Sequence, residues 1–353
     1  MKVLHVIPGI SPLSGGPTRS VKGLCRALSA SDLDTSLLVL NGGDEFENPC
    51  GVKVVRKSCP DMGVYDIVHL HGLWEHKLHR VVAACRQAKI HYVISPRGML
   101  DPWALSVKKL KKKLALFLYQ RRDLRDAAAI HVTAQAELEH VRAAGFNQPC
   151  IVAPNAVDLP LAMPDRNIGG DVKTAIFLSR LHPGKGLLSL AEAWAKIRPQ
   201  GWKMKVVGPD SYGHKKDVLE ALARLNIGGD WEFVDVLDDV QKWRAYRSAD
   251  LLIHPSVSEN FGITIVEGLS AELPVICTKG TPWEEIEEQK CGWWIDIGVE
   301  PLAKALKEAT SLTDKERCEM GQRGRSLVEE KYTWNAVVNK MIEGYKAVLN
   351  GKA

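Results

Sequence analysis

The sequence predicts an α/β protein of two domains, each built around a parallel β-sheet. Short apolar runs with strand character alternate with helical segments along most of the chain, the pattern of parallel sheets covered by helices. The alternation lapses between Pro154 and Gly170 into a stretch rich in Pro, Asn and Gly, and then restarts. A chain of 353 residues is long enough for two separate cores. We therefore expect a first domain over residues 1–165 and a second over 166–333.

The first half supplies strands separated by helices. KVLHVI at Lys2–Ile7 is predicted as the first strand, and a Gly/Pro-rich loop leads into a helix from Thr18 to about Ala30. A helix around Trp74–Lys89 and another that runs through Val141 follow later. The further strands predicted in this half are LDTSLLVLNG, GVKVVRK, DIVHLHG, HYVISPRG, AAAIHV and CIVAPNAVD.

The second half repeats this alternation and ends in helices. Its last helical segments are predicted around Pro301–Ser311, Asp314–Glu330 and Trp334–Leu349. Its predicted strands are TAIFLSR, KMKVVGPD, WEFVDV, ADLLIHP, LPVICT and GWWIDI.

Composition narrows the class of protein. Apolar residues make up 45% of the chain, as in ordinary soluble proteins, and no apolar run approaches the ~20 residues of a membrane span. The start MKVLHVIPGI lacks a small-residue cleavage site, so we expect a first strand rather than a signal peptide. The eight cysteines form no CxxC pair, which favours reduced core residues in a cytosolic protein.

Positive charge is concentrated in one segment. The net charge is +5, but the segment Lys108–Arg125 holds eight basic residues and one acid, so the rest of the chain is slightly acidic. Apolar residues recur at helical spacing from Trp103 to Leu124 with five lysines on the other faces, which predicts an amphipathic basic helix. The apolar stripe alone is typical of a helix that packs on a core. The lysines favour an anionic membrane partner for residues 103–125 rather than nucleic acid, because no aromatic stacking platform accompanies the charge.

The most informative stretch is SVSENFGITIVEG, Ser256 to Gly268. It follows the predicted strand ADLLIHP and carries two carboxylates, Glu259 and Glu267, on either side of a glycine that opens a helix. Ligands of open α/β sheets bind at the carboxyl ends of strands, and free amides at a helix start suit a polyhydroxylated or anionic ligand. The alternative is a surface carboxylate at Glu259 and a helix-dipole partner at Glu267.

A second stretch, SRLHPGKG, follows the first strand of the second half. Arg180 and Lys185 flank a Pro-Gly turn that opens a helix, a combination that suits a diphosphate. Cations beside turns are otherwise most often solvated.

Together these segments resemble the retaining glycosyltransferases of the GT-B fold, family 4, and the resemblance extends over nearly the whole chain. It implies two Rossmann-like domains that face each other across a cleft, with the C-terminal helix 334–353 packed on the first. It implies that Glu259 lies by the donor sugar, that Glu267 binds the nucleotide ribose, and that Arg180 and Lys185 hold the diphosphate and stabilise its departure. The loop positions implied to hold sugar hydroxyls and phosphate are Asn260, Phe261, Gly262 and Ile263.

The resemblance also assigns loops of the first domain. In the SGGP turn, Gly15 and Gly16 match glycines that lie against donor phosphate and acceptor. In HLHGLW, His69 and His71 lie on one side of a strand end; we expect core packing or acceptor contact there, because no third ligand is spaced for a metal. In SPRGMLDPW, Arg97 replaces a histidine found near the reacting sugar in many relatives, and could hold a phosphate or acidic group of the acceptor.

The resemblance implies a hexosyl- or N-acetylhexosaminyl-transferase that needs no metal or cofactor. Its donor would be a nucleotide-diphosphate sugar, and its acceptor a lipid-linked saccharide in cell-surface polysaccharide assembly at the cytoplasmic membrane face. Two alternatives remain at this point: a non-catalytic nucleotide-sugar-binding protein, and a nucleotide-sugar epimerase that would use His69 and His71 as acid and base.

Overall fold

The computed structural model describes residues 1–10, 16–31, 33–41, 52–55, 60–160, 163–165 and 170–351. On that basis the chain divides into two compact units, which we call unit 1 and unit 2. Unit 1 comprises Met1–Asp158 and Thr333–Ala353, and unit 2 comprises Leu159–Tyr332. Gly15, and Cys50 and Cys59 of the eight cysteines, lie outside the described part.

Unit 1 ends at Asp158, a few residues before the boundary expected at 165, because side-chain and backbone contacts tie the chain to unit 1 up to this point. Val157 pairs with Thr333 in a parallel bridge. The carboxylate of Asp158 accepts hydrogen bonds from Arg26 at 2.6 Å and from the Trp334 indole at 2.7 Å.

Unit 1 is built on a parallel sheet, as the alternating pattern predicts. Its strands are β1 (Lys2–Ile7), β2 (Asp34–Val39), β3 (Lys53–Val55), β4 (Ile67–His71), β5 (His91–Ser95), β6 (Ala129–Val132) and β7 (Cys150–Val152). These described strands lie in the order β3-β2-β1-β4-β5-β6-β7, and every paired neighbour runs parallel. Residues of β1 and β4 are buried on both faces of the sheet because helices cover both sides.

Helices follow most of these strands. Those of the first part of unit 1 are α1 (Gly16–Ser29), α2 (His76–Ala88), α3 (Pro102–Ser106), α4 (Lys109–Ala115), α5 (Arg121–Arg125) and α6 (Gln135–Ala143).

The prediction of one continuous helix from Trp103 to Leu124 is wrong. The segment breaks after α3, where Val107 is extended and Lys108 has a left-handed backbone with φ of 52°. Helical structure resumes in α4 and continues through a π-helical turn at Leu116–Gln120 into α5. Five lysines within six positions repel one another, which disfavours an uninterrupted helix through this stretch.

Unit 2 is a second parallel α/β sheet. Its strands are β8 (Lys173–Leu178), β9 (Trp202–Val207), β10 (Trp231–Val234), β11 (Leu251–His254), β12 (Val275–Thr278) and β13 (Gly292–Ile295). The described strands lie in the order β10-β9-β8-β11-β12-β13, so the strand order reverses between β8 and β11. This is the Rossmann-type order, in which ligands bind at the carboxyl ends of the strands beside the reversal. Its helices are α7 (Leu187–Ile197), α8 (His214–Leu225), α9 (Asp239–Arg247), α10 (Ile263–Ser270), α11 (Glu285–Glu288), α12 (Val299–Ser311) and α13 (Asp314–Lys331).

The C-terminal helix α14 (Trp334–Leu349) belongs to unit 1. Its buried face packs with the strand residues Val3, Ile67 and Val93 in one apolar cluster. The hydroxyl of Tyr345 also lies 2.7 Å from Nδ1 of His69, so the helix reaches the polar interior of the sheet. The side chains that α14 buries are Val337, Val338, Met341, Tyr345 and Val348.

Two further sequence expectations concern cysteines and membranes. The six cysteines in the described ranges are free, and four of them are buried. Across the same ranges, no helix combines the length and the apolar character that crossing a bilayer requires.

Candidate functional site

The glutamate loop of unit 2 lies where the sequence predicts it, between β11 and α10. Gly262 begins α10 with a backbone φ of 81°, which glycine adopts without strain. Glu259 lies in the loop before it, with its amide donating to the carbonyl of Gly280 at 2.8 Å. Glu267 lies inside α10 and is buried. The strand end, the loop and the first turns of the helix therefore hold both carboxylates in unit 2.

Glu259 is an ionised carboxylate held by two nitrogen donors. Its Oε1 pairs with the Lys185 ammonium and lies 3.1 Å from Nε2 of His254. Because a carboxylate only accepts, Nε2 of His254 carries the proton of this bond. Burial raises the pKa of Glu259, but the Lys185 charge and the His254 hydrogen bond outweigh it and lower the pKa to about 2. His254 is absent from the sequence prediction; its signal was a polar residue closing the strand ADLLIHP.

Lys185 is positioned by a tight turn before α7. The turn Pro183–Lys185 ends at Gly186, whose φ is 76° and where an added Cβ would collide with the carbonyl of Pro255. Val257 donates to the carbonyl of Gly184 at 2.9 Å. The turn is thus bonded to the loop that follows β11, and this bonding explains why Lys185 reaches Glu259.

Arg180 differs from Lys185. It follows β8 and is exposed, and within the described part of the chain it has no hydrogen-bond or ion-pair partner. The two cations expected to act together are therefore in different states: one is paired with Glu259, and the other is available to a ligand.

Glu267 is anchored through a contact that sequence reasoning missed. Lys242 on α9 places Nζ 2.7 Å from Oε1, and Tyr246 donates to Oε2 at 3.0 Å. The two residues are four apart on one face of α9, a spacing that was visible in the sequence. Lys242 and Glu267 are both almost fully buried, so Glu267 is held as a fixed acceptor.

The residues between the glutamates combine packing with exposed backbone. Phe261 is buried against Trp283 and Tyr332, and its carbonyl accepts from the Trp283 indole. Asn260 and Ile263 are half-buried. The side chain of Phe261 therefore fixes the loop, and the first amides of α10 remain the groups able to meet a ligand.

In unit 1, Arg97 joins three segments through neutral partners. Its Nη1 donates to Asn155 Oδ1 at 2.8 Å and to Ser20 Oγ at 3.2 Å. Its Nη2 donates to Nδ1 of His71 at 3.0 Å. Arg97 and His71 are therefore brought together, as their assignment to one acceptor-side group requires. Gly16 begins α1, the helix that carries Ser20.

A third histidine lies beside the predicted pair, so the expectation that none is at hand is wrong. His5 on β1 aligns with His69 on β4, and the ligand atoms of His5, His69 and His71 lie within 4.8 Å of one another. Parallel register brings together residues that are far apart in sequence. Burial lowers the pKa of all three, so they are neutral at pH 7.

The hydrogen bonds of this cluster fix its tautomers. Arg97 can only donate, so Nδ1 of His71 is an acceptor and its Nε2 carries the proton. That Nε2 lies 2.9 Å from Nδ1 of His5 and donates to it. Both ring nitrogens of His71 are thus engaged, and a metal could bind His71 only after breaking this chain.

The basic segment exposes its apolar side chains instead of burying them. Leu110 is 82% exposed and Phe117 is 85% exposed, and Leu114 and Leu118 are also exposed. The interpretation of this stripe as core packing is therefore wrong for these positions. Leu124, at the end of the segment, is buried.

Two family models match the chain. The model described as "Glycosyl transferase 4-like domain" matches residues 15–156, and the model described as "Glycosyl transferases group 1" matches residues 161–327. The first match falls in unit 1 and the second in unit 2.

Similar proteins match half of the chain or nearly all of it. The chain is 30% identical over 194 residues to a lipopolysaccharide 1,2-N-acetylglucosaminetransferase of Salmonella typhimurium, covering 51% of this chain and 50% of that protein. It is 22% identical to a GDP-mannose:cellobiosyl-diphosphopolyprenol alpha-mannosyltransferase of Komagataeibacter xylinus, covering 99% and 94% of the two chains. The chain spans about half the length of the first curated relatives that it matches.

The fold also matches solved structures. The structure of Anabaena HepE in complex with UDP and glucose superposes with a TM-score of 0.79 at 17% sequence identity, covering 98% of this chain and 100% of that chain. At this identity the likeness concerns the fold.

Proposed function

The chain belongs to the group 1 glycosyltransferases of the GT-B fold, and from this membership we propose that it transfers a sugar from a nucleotide-diphosphate sugar to a saccharide acceptor with retention of anomeric configuration. The observation that carries the proposal is the cluster of Lys185, Glu259 and His254 in unit 2. It lies at the carboxyl ends of strands beside the order reversal, where nucleotides bind in such sheets.

The donor would be bound by groups of unit 2 that are already oriented. The ribose hydroxyls donate to Glu267, whose carboxylate is held in place by Lys242 and Tyr246. The diphosphate is bound by Arg180, which has no partner in the described structure, and by Lys185, which also pairs with Glu259. The first amides of α10 meet sugar hydroxyls.

Catalysis would rest on charge stabilisation. As the glycosidic bond breaks, the sugar becomes cationic and the diphosphate gains negative charge. Lys185 and Arg180 stabilise the departing diphosphate, and Glu259, ionised because its pKa is about 2, faces the cationic sugar. The acceptor hydroxyl then attacks from the face that the diphosphate leaves. A donor phosphate oxygen takes its proton. A double displacement through Glu259 is the alternative chemistry, and it requires Glu259 to leave Lys185 and His254.

The epimerase alternative is less favoured. It needs an accessible acid and base, and His69 and His71 are both buried and hydrogen-bonded to Tyr345 and Arg97 respectively.

We further propose that unit 1 receives a lipid-linked acceptor at an anionic membrane surface. The support is the exposed pair Leu110 and Phe117 beside the lysines of α4, because apolar and cationic groups together suit a membrane interface. Each lysine near an anionic surface contributes ~1 kcal/mol. The name of the Komagataeibacter relative specifies a diphosphopolyprenol acceptor, which is consistent with this placement.

One experiment tests the proposed reaction. Thermal shift with UDP-, GDP- and dTDP-sugars selects the donor, because a ligand that binds the native state stabilises it. The labelled donor is then incubated with polyprenyl-diphosphate saccharides, and NMR of the product gives the anomeric configuration. Transfer with retention supports the proposal. Inverted product, epimerised donor, or hydrolysis without transfer would contradict it.

A further inference from the structure

Arg97 is a half-buried cation whose partners are all neutral. Its three hydrogen bonds go to an amide oxygen of Asn155, a hydroxyl of Ser20 and a ring nitrogen of His71. None of the ion pairs found among the described residues includes Arg97. Burial lowers the pKa of Arg97 to about 10, so the guanidinium is still charged at neutral pH.

Glu137 is the carboxylate that stabilises the Arg97 charge most, but it forms no ion pair with the guanidinium. Glu137 attracts Arg97 electrostatically, but its Oε1 accepts from the amide of Gly98 at 2.6 Å and its Oε2 accepts from the amide of Thr133 at 2.8 Å. Glu137 thus holds the loop that carries Arg97. The histidines on the other side are neutral. Among the described residues the guanidinium therefore has no direct counter-ion, which is unusual for a charge removed from water.

The backbone at this position is specialised. Arg97 has φ of 57° and Gly98 has φ of 74°, so two successive residues are left-handed. A non-glycine residue in this region is uncommon, and such residues concentrate at ligand sites. The turn aims the guanidinium at Asn155 and His71 instead of outward from the loop.

Within the described part of the chain, the hydrogen bonds leave two donors of the guanidinium unused. Nη1 donates its two protons to Asn155 and Ser20, and Nη2 donates one proton to His71. Nε has no partner. The remaining donors are the Nε proton and one Nη2 proton. Nε and Nη2 form the edge by which arginine binds carboxylate or phosphate with two bonds.

We propose that this edge of Arg97 binds an oxyanion, phosphate or carboxylate, carried by the acceptor saccharide. The assignment to the acceptor rests on the proposed function, in which the donor binds to unit 2. Asn155, Ser20 and His71 are then positioning residues that orient the fork, and the chain from Arg97 through His71 to His5 keeps that orientation.

Direct titration of the full-length protein tests the site without turnover. Isothermal titration compares glucose 6-phosphate with glucose, and glucuronate with glucose, so that each pair differs by the anionic group. The anionic members are expected to bind at least tenfold more tightly than glucose. Arg97→Gln removes this difference, whereas Arg80→Gln, an exposed arginine of the same unit, keeps it. The relative effect on phosphate and carboxylate identifies which oxyanion the site prefers.

Asn155→Asp provides a second variant, in which the side chain keeps its size and shape and gains a negative charge. It places a carboxylate where an amide oxygen now lies 2.8 Å from Nη1, so the charge gains an internal counter-ion. The preference for anionic sugars should fall at least tenfold while the melting temperature is kept or rises. Unchanged preference in both Arg97→Gln and Asn155→Asp, with folded proteins by circular dichroism, would overturn the proposal.

A parallel titration with UDP and GDP separates this inference from the proposed function. The nucleotide that binds the wild type should bind Arg97→Gln equally well. Loss of nucleotide affinity with an unchanged sugar-anion preference would place the oxyanion on the donor and overturn the assignment to the acceptor. If no nucleotide binds the wild type, the proposed reaction fails, and the glucose 6-phosphate titration still decides whether the site exists.

Discussion

Lys242 holds Glu267 by a buried ion pair in which Nζ lies 2.7 Å from Oε1. Tyr246, one turn further along α9, donates to the other carboxylate oxygen. Two helices are thereby joined through the residue assigned to the ribose, so the position of that carboxylate depends on α9 as well as on α10.

Replacing Glu267 with Ala should raise the KM for the donor with little change in kcat, because ribose contact stabilises ground state and transition state alike. Lys242→Met should raise the same KM and destabilise unit 2 by about 3–5 kcal/mol, the range for breaking a buried pair. Steady-state kinetics and urea unfolding measure the two effects. A large fall in kcat with an unchanged KM for Glu267→Ala would exchange the roles of the two glutamates.

Arg180→Ala and Lys185→Ala should each lower kcat by roughly 10²-fold, the scale for losing one preorganised charge stabiliser. They should differ in stability. Arg180 has no partner among the residues that the structure describes, so its removal leaves the melting temperature unchanged, whereas loss of Lys185 leaves Glu259 without its cation. Lys203→Ala, an exposed lysine of the same unit, is the matched control. Near-normal kcat in both variants would show that the diphosphate lies elsewhere.

Acid should destabilise unit 1 before it affects the Glu259 pair. Burial lowers the pKa of His5, and of the buried His131 on β6, from 6.5 to about 3, so the unfolded chain binds protons that the folded chain does not. The contribution of these two histidines to the free energy of unfolding is therefore complete above pH 6.5. It falls by about 1.4 kcal/mol per pH unit for each group as the pH drops towards 3. Glu259 has a folded pKa of about 2, so the stability that it contributes is complete above pH 4.5 and is lost only as the pH falls below that value.

Urea unfolding at a series of pH values measures how the free energy of unfolding changes with pH. His131→Gln is expected to reduce that slope by the contribution of one group between pH 6.5 and 3. A slope that is the same in wild type and variant would mean that folding does not change the protonation of His131.

Full activity should persist in excess chelator. His71 uses both of its ring nitrogens, one on His5 and one on Arg97, and the charge of the diphosphate is met by Arg180 and Lys185 in the proposed reaction. Turnover with EDTA, compared with turnover after adding Mn²⁺ or Mg²⁺, is the measurement. Activity that disappears with EDTA and returns with either ion would refute the charge assignment.

Vesicles containing anionic lipid should carry the protein with them in flotation, and high salt should release it. Changing the five lysines from Lys108 to Lys113 to glutamine should abolish flotation by removing ~1 kcal/mol each. Leu110→Ser with Phe117→Ser should weaken flotation at low salt, because both side chains are exposed. Equal binding to neutral vesicles, or none to anionic ones, would leave an ordinary solvated helix.

Local pattern was sufficient for most of the fold and for the glutamate loop. The alternation of strands and helices, and the glycine that opens α10, are encoded in neighbouring residues, so the sheets and Glu259 could be placed from sequence. Contacts set by parallel register could not: His5 meets His69 across 64 positions because β1 and β4 pair. The link from Glu267 to Lys242 depends on the packing of two helices, which periodicity does not specify.

Helical periodicity also does not show whether the apolar face of a helix packs on a core or is exposed to solvent. The spacing of Leu110, Leu114 and Phe117 is the same whether the face meets a core or solvent, and only the packed structure shows that these side chains are exposed. The break at Lys108 follows from a left-handed residue that no glycine or proline signals.

The place of α14 has a consequence for the order in which the protein can fold during synthesis. Tyr345 and Met341 are fully buried in unit 1, yet the ribosome makes them after all of unit 2. At ~5–20 residues per second, the first 158 residues would wait many seconds with an incomplete interior, exposing the apolar strand faces that α14 covers. Unit 2 is continuous in sequence and can close first. A nascent chain should therefore complete its second-made unit before its first, and the earlier unit should be the one that needs a chaperone.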